Sequence, residues 1–169
     1  LRQSVAELYR RLNGRDFFID AARPQLISIA GLIGVGKTTL ASRLAECLNA
    51  KLIVEKYDDN PYLAEVYAGR KDMALDSELF FLSSSATQLR RDRLKPGSRY
   101  VSDYVFDKAL IYASSWLEAD DLELYKKHFS CVTQEVAEPV LAIYLDDSVQ
   151  QCLDRIHRRN RPYEQQIET

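Results

Sequence analysis

Four short apolar segments rich in β-branched residues alternate with longer segments in which apolar residues recur at helical spacing. The strand-like segments span residues 26–30, 51–55, 100–103 and 140–145. The helical patterns span residues 37–48, 60–67, 72–94, 106–117 and 122–137, with a last helix from about residue 148. Strands that alternate with helices in this way predict an α/β fold with a parallel sheet.

Three predicted strands end at residues suited to a ligand site, namely Gly31, Glu55 and Asp103. Ligands of parallel sheets bind at the carboxyl ends of the strands, so we expect these positions to share one crevice. In the first helix, a buried face is predicted for Leu40, Leu44, Ala45 and Leu48.

The segment before the first strand shows a helical pattern of its own. Ser4 and Glu7 have the spacing of a helix-capping box, and apolar residues follow at helical intervals. We therefore expect a helical extension or linker over residues 1–23 and one domain over residues 24–169.

The composition narrows the class of protein. The 169 residues carry 23 Lys plus Arg and 25 Asp plus Glu, a formal net charge of −2. We expect no nucleic-acid partner, because such proteins usually carry a basic face, and no membrane partner, because no apolar run approaches about 20 residues. Three cysteines without CxxC spacing and two histidines form no zinc set and favour a reducing, cytoplasmic location.

The turn after the first strand carries the clearest motif. Residues 31–38, GLIGVGKT, match the phosphate-binding loop G-x-x-x-x-G-K-[ST]. Gly31, Gly34 and Gly36 let backbone N–H groups surround phosphate oxygens, and Lys37 reaches the β and γ phosphates. Thr38 offers a hydroxyl to Mg²⁺, and we include Thr39 in the loop. The alternative, a fortuitous glycine-rich turn, does not explain the strand before it and the helix after it.

Beyond this loop, the chain resembles the deoxynucleoside kinase family, and most of all the bacterial deoxyguanosine and deoxyadenosine kinases. The resemblance rests on four features in order: Glu55, the segment NPYL at residues 60–63, the pair DY at 103–104, and RIHRRNRPYE at 155–164. It implies a three-layer α/β/α P-loop kinase with a central parallel sheet and an arginine-rich lid. It further implies ATP and Mg²⁺ as cofactors and a homodimer.

The resemblance assigns roles to the two acids at the strand ends. Glu55 corresponds to the general base for the 5′-hydroxyl, and Asp103 to an acid that holds Mg²⁺ or contacts the substrate. Alternatives are a solvated charge for Glu55 and a helix N-cap for Asp103. Many relatives carry an Arg next to the second acid, whereas Tyr104 follows it here, so the partner of Glu55 stays open.

The nucleoside side of the site is implied by residues on the predicted helices. Tyr67 corresponds to the family's contact with the sugar 3′-hydroxyl, and Glu78 to a residue that reads the base. A carboxylate only accepts hydrogen bonds, which favours purines and guanine in particular; the alternative is a solvated helix face. Relatives often carry an Arg where this chain has Ser85. Tyr112 corresponds to the ring stacked on the base, and further candidates for that pocket are Phe80, Phe81, Phe106 and Trp116.

The basic patch near the C-terminus corresponds to the family's lid. Arg155, Arg159 and Arg161 match lid positions that neutralise the transferring phosphate, whereas Arg158 does not match. Glu164 corresponds to an acid that caps the sugar 3′-hydroxyl. A solvated arginine stripe is the alternative. Because the family continues beyond the lid, we expect this sequence to lack the C-terminal part of the domain.

We therefore predict a kinase that transfers the γ-phosphate of ATP to the 5′-hydroxyl of deoxyguanosine or deoxyadenosine. One alternative is a nucleoside monophosphate kinase of the thymidylate type, which shares the loop and lid but binds an acceptor phosphate. The other is an ATP-binding module without catalytic activity.

Overall fold

The computed structural model describes residues 22–164, so the helical extension predicted for residues 1–23 lies almost entirely outside the described part. Four strands are present: β1 Gln25–Gly31, β2 Lys51–Ile53, β3 Arg99–Ser102 and β4 Leu141–Leu145. The α-helices are α1 Lys37–Leu48, α2 Leu63–Tyr67, α3 Ala74–Gln88, α4 Lys108–Trp116, α5 Ala119–Thr133 and α6 Val149–Arg159. Short 3₁₀ helices span Lys71–Met73 and Pro162–Glu164.

All strand pairs in the sheet are parallel, in the order β2-β3-β1-β4. The loop after β1 therefore lies between β3 and β4 at the centre of the carboxyl edge. The chain crosses from β1 to β2 and then returns to β3 between them, which opens the crevice that such sheets offer to ligands. The predicted α/β fold with a parallel sheet is confirmed.

The alternation of side chains along the central strands divides the core into two layers. Ile27 and Val101 face α1, whose buried residues include all four predicted positions. Leu26 and Tyr100 face the opposite side, where α3, α4 and α5 pack together. Apolar surface on both faces of a parallel sheet requires helices on both sides, which is the three-layer arrangement.

The helix predicted over residues 122–137 spans Ala119–Thr133 instead. Two other predicted elements end early, and tertiary contacts explain both. Strand β2 ends at Ile53 rather than at residue 55, because the Asp103 N–H donates to the Ile53 carbonyl and the Asp103 side chain accepts from the Glu55 N–H. The helix predicted over residues 72–94 ends at Gln88, because Arg90 forms a bridge with Val136.

Helix α6 begins and ends as its sequence suggests. The Ser148 side chain accepts a hydrogen bond from the Gln151 N–H at its start, and Asn160 ends it with a φ of 55°. Within residues 22–164, none of the helices has the length and apolar character needed to cross a bilayer.

Candidate active site

The loop between β1 and α1 is packed tightly against the rest of the protein. Gly34 has a φ of 82°, and a Cβ atom there would lie 2.4 Å from the Cys152 carbonyl oxygen on α6. Gly36 has a φ of 104°, but a Cβ atom added there would have no other atom within 4 Å. This open side of Gly36 borders the pocket. The glycines of the motif thus serve two purposes: close packing below the loop and open backbone above it.

Lys37 lies over the loop that precedes it. Its Nζ atom donates to the carbonyl oxygens of Gly31, at 2.9 Å, and Leu32, at 2.8 Å. Burial lowers the pKa of Lys37 to about 8, and the positive charge of Lys108 adds to this effect. An anionic ligand beside this ammonium would favour its charged form.

Asp103 joins the phosphate loop to the second strand end. Its Oδ2 atom accepts a 2.6 Å hydrogen bond from the Thr38 hydroxyl, and its Oδ1 atom accepts a 2.9 Å bond from the Glu55 N–H. The carboxyl is fully buried, and this burial raises its pKa. The helix-cap alternative for Asp103 is wrong, because α4 begins at Lys108 with Asp107 at the cap position. Asp103 therefore holds the phosphate loop and Glu55 together at the same edge of the sheet.

Glu55 forms a short ion pair with Lys108, the first residue of α4. The Lys108 Nζ atom also lies 5.5 to 5.9 Å from the ring centroids of Tyr57, Tyr104 and Tyr112. These rings stabilise the ammonium and restrict its position. Glu55 is buried rather than a solvated charge, so that alternative is wrong.

A pocket of about 370 Å³ extends from the phosphate loop to helices α2, α3 and α4. This volume lies within the range of small-molecule sites. Most of the predicted site residues line this one pocket: Gly34, Gly36, Lys37, Thr38, Thr39, Glu55, Tyr67, Glu78, Tyr112, Arg155, Arg159, Arg161 and Glu164. Gly31 and Asp103 are not among the lining residues.

Aromatic rings form the far end of the pocket. Tyr112, Phe81, Phe106 and Trp116 line it, whereas Phe80 packs edge-on against Phe81 and lies outside the lining. Phe80 is therefore not a base-stacking residue in this structure. The remaining rings provide the flat apolar surfaces that a heteroaromatic base requires.

Glu78 is buried on α3 and borders this aromatic end. Burial raises the pKa of its carboxyl to about 7, and Lys108 offsets only part of the increase. Glu78 is therefore not on a solvated helix face. Ser85, where relatives often carry an Arg, is also buried and lines the pocket.

Tyr67 and Glu78 both line the pocket but lie on different helices. Helix α2 ends at Tyr67, and Gly69 turns the chain with a φ of 93° before α3 begins. The Tyr67 ring packs against Tyr163 and Trp116, at centroid distances of 5.9 and 6.3 Å. The pocket is thus formed by tertiary packing of several elements.

Three of the four arginines in the C-terminal patch line the pocket. Arg155 donates to Asp147 at 2.7 Å and lies 3.4 Å from the carbonyl oxygens of Gly34 and Val35. Arg159 makes a bidentate pair with buried Glu164 through bonds of 2.6 and 2.5 Å. Arg161 lies 5.2 Å from the Tyr57 ring centroid. Arg158 is exposed and is not among the residues that line the pocket, which separates it from the other three.

A family model described as deoxynucleoside kinase matches residues 27–169. The chain belongs to the deoxynucleoside kinase family. It is 38% identical over 146 residues to deoxyguanosine kinase of Bacillus subtilis, an alignment of 85% of this chain and 70% of the relative. It is 34% identical over 147 residues to deoxyadenosine kinase of Dictyostelium discoideum, with 83% and 59% of the two chains covered. The predicted family and enzyme class, a phosphotransferase, are confirmed.

Solved structures confirm the fold of this kinase. A deoxyadenosine kinase from M. mycoides with bound dATP matches with a TM-score of 0.71 at 23% identity, covering 85% of this chain and 76% of that one. The same enzyme with products dCMP and a flexible dCDP matches with a TM-score of 0.72 at 23% identity, covering 85% and 75%. The central parallel sheet with helices on both faces is thus the P-loop kinase fold.

Sequence reasoning about this kinase missed Lys108. Lys108 is the cation that pairs with Glu55, a partner that the sequence left open. One signal was present: a lysine in the first turn of a helix is disfavoured by the positive end of the helix dipole. An acid opposite the lysine offsets this unfavourable interaction.

Proposed function

We propose that this kinase transfers the γ-phosphate of ATP to the 5′-hydroxyl of a purine deoxynucleoside. The observation that carries this proposal is the position of Glu55. Its buried carboxyl and the phosphate-loop residues Lys37 and Thr38 line one pocket, whose other end is large and aromatic enough for a nucleoside. The family and the names of the relatives support the same reaction.

The phosphate side of the pocket would hold ATP through this chain's own groups. The loop amides and the start of α1 surround the phosphates, and the Lys37 ammonium contacts them. Mg²⁺ fits the donors present, because the Thr38 hydroxyl and the Asp103 carboxylate are hard oxygen ligands that a 2.6 Å hydrogen bond already joins. Thr38 lines the pocket, and the buried Asp103 carboxylate would hold the ion together with it. When bound, Mg²⁺ neutralises charge on the β and γ phosphates.

Glu55 would accept the proton of the 5′-hydroxyl as that oxygen bonds to the γ-phosphorus. The bond from the γ-phosphorus to the bridging oxygen breaks, and ADP leaves with the electron pair. A carboxylate held near the acceptor oxygen suits this step. Lys108 would act as a positioning residue by holding the Glu55 carboxylate in one orientation.

Residues at the other end would orient the nucleoside. Tyr67 and Glu164 would bond the 3′-hydroxyl, Tyr112 would stack on the base, and Glu78 would bond its polar edge. The close packing of Tyr67 against Tyr163 and Trp116 supports a role in excluding ribose. A ribonucleoside turned over as well as its deoxy counterpart would contradict that role.

Arg155, Arg159 and Arg161 would neutralise the charge on the transferring phosphoryl group. Guanidinium groups suit this charge because their planar N–H donors match phosphate oxygens. All three line the pocket, and Arg155 lies against the phosphate loop. We propose that this segment serves as the lid.

The test follows labelled γ-phosphate from Mg-ATP to each deoxynucleoside and each deoxynucleoside monophosphate. We expect transfer to deoxyguanosine or deoxyadenosine, at least about 100-fold lower in Glu55→Gln. Glu65→Gln is the matched control, because this glutamate is exposed on α2. Transfer only to a monophosphate would identify a monophosphate kinase. ATP binding without any transfer would support a non-catalytic module.

We also propose a homodimer and a cytoplasmic location. Ile111 on α4 is 69% exposed and Leu124 on α5 is 43% exposed, and contact with a second copy would bury this apolar surface. Sedimentation of the native protein and of Ile111→Arg tests the dimer. ATP as phosphate donor and the exposed free thiols of Cys47 and Cys131 suit the cytoplasm, which cell fractionation tests.

A further inference from the structure

Glu78 has a carboxyl that faces the pocket without a fixed partner. The side chain is buried on α3, and no hydrogen bond or ion pair to its carboxyl is found within residues 22–164. Other buried acids of the site differ: Glu55 pairs with Lys108, and Glu164 pairs with Arg159. A buried carboxyl without a partner is costly in its charged form, and a ligand can change that cost.

The titratable groups that surround Glu78 do not provide its carboxyl with a partner. The titratable groups around it come from four neighbouring elements and are Glu55 after β2, Tyr67 on α2, Lys108 and Tyr112 on α4, and Tyr125 on α5. Lys108, the one cation among them, already pairs with Glu55. The Tyr125 hydroxyl is buried and finds no hydrogen-bond partner among the described residues.

The carboxyl of Glu78 therefore exists in two forms near neutral pH. Burial raises its pKa to about 7, so the neutral acid predominates below that pH and the carboxylate above it. The two forms present different hydrogen-bonding patterns to a ligand. The carboxylate offers two acceptors, whereas the neutral acid offers one donor and one acceptor.

These two patterns match different purines. Guanine presents adjacent donors, N1–H and the N2 amino group, which fit two carboxylate oxygens. Adenine presents a donor at the N6 amino group beside an acceptor at N1, which fits a neutral acid. A carboxylate opposite adenine would face the N1 lone pair, and a neutral acid opposite guanine loses one of the two acceptors.

We propose that the protonation state of Glu78 selects the purine: the carboxylate favours deoxyguanosine, and the neutral acid favours deoxyadenosine. This inference rests on the proposed function and adds a specificity determinant to it. It makes the ratio of the two activities, rather than either activity alone, depend on pH. Groups that act equally on both substrates, such as Lys37 and Glu55, cancel in that ratio.

The experiment measures kcat/KM for both nucleosides from about pH 6 to about pH 8.5. We expect the deoxyadenosine to deoxyguanosine ratio to fall at least about tenfold as pH rises, the scale of a hydrogen bond to a charged group. Glu78→Gln carries one donor and one acceptor at every pH, so its ratio should be constant and favour deoxyadenosine. Asp76→Asn is the matched control: it removes an exposed carboxylate from the same helix and should keep the wild-type profile.

Calorimetry gives a second readout that does not depend on catalysis. Near pH 7, deoxyadenosine binding should take up protons and deoxyguanosine binding should release them, and Glu78→Gln should remove both effects. A constant ratio in the wild type, or an unchanged pH profile in Glu78→Gln, would overturn the inference while leaving the kinase activity intact. Failure of both nucleosides to bind or react would overturn the proposed function and this inference together.

Discussion

Lys108 at the start of α4 forms an ion pair with Glu55 just beyond β2, across 53 residues of sequence. The Glu55 side chain is only 3% exposed and that of Lys108 is 23% exposed. The pair lies between the phosphate loop and the aromatic end of the pocket. It fixes the orientation of the group that we propose as the base.

Lys108→Met should impair both stability and activity. The substitution keeps an unbranched side chain of similar length but removes the ammonium, which leaves the Glu55 charge buried and unpaired. We expect the free energy of unfolding to fall by about 2–4 kcal/mol, since breaking a buried pair costs about 3–5 kcal/mol and Lys108 is partly exposed. We expect kcat to fall about 100-fold as the base loses its orientation.

Two further variants separate the effects of Lys108→Met. Lys108→Arg retains the charge and should retain most of the stability. The double variant with Glu55→Gln should recover stability, because no buried charge is left unpaired, but not activity. If Lys108→Met has normal kcat, measured by phosphate transfer, Lys108 has no positioning role.

Asp103→Asn should raise the Mg²⁺ concentration needed for activity. The neutral amide is a weaker ligand than the carboxylate that accepts from Thr38. We expect at least about 100-fold lower kcat at low Mg²⁺, with partial recovery at high Mg²⁺. Asp107→Asn, an exposed neighbour, is the control. A wild-type Mg²⁺ dependence in Asp103→Asn would exclude a role for Asp103 at the metal.

The affinity for ATP should fall as pH rises above about 8. Burial lowers the pKa of Lys37 to about 8 in the free protein, and bound phosphates should raise it again. Binding therefore takes up a proton above this pH and loses affinity, whereas below it the ammonium is already present and affinity should not change. Calorimetry from about pH 7 to about pH 9.5 measures this. Lys37→Arg stays charged at these pH values, so its affinity for ATP should not depend on pH. If the pH dependence persists in Lys37→Arg, another group causes it.

Gly34→Ala and Gly36→Ala should differ in their effect on stability. Both glycines have positive φ values, 82° and 104°, which cost a side chain about 1–2 kcal/mol. The Gly34 methyl group would also lie 2.4 Å from the Cys152 carbonyl oxygen and would force α6 to move. We expect a loss of about 3 kcal/mol or more for Gly34→Ala and about 1–2 kcal/mol for Gly36→Ala. Equal losses in chemical denaturation would contradict this.

Much of the fold could be predicted from local sequence. Helix α1 has the predicted bounds, residues 37–48, because its start follows the glycine-rich loop and its apolar residues keep a regular helical spacing. The phosphate loop is a contiguous motif and was predicted for the same reason. The long helix predicted over residues 72–94 was too long, because its end depends on the contact between Arg90 and Val136.

The sequence by itself determined the alternation of strands and helices, the phosphate loop and the residues that carry the family resemblance. These depend on local spacing and on residue types, which the chain displays directly. Only the tertiary structure decided the pairing of Glu55 with Lys108 and the burial of Glu78 without a partner. Both depend on which side chains the packing of α3 and α4 excludes from water, and burial and charge pairing are set by neighbours distant in sequence.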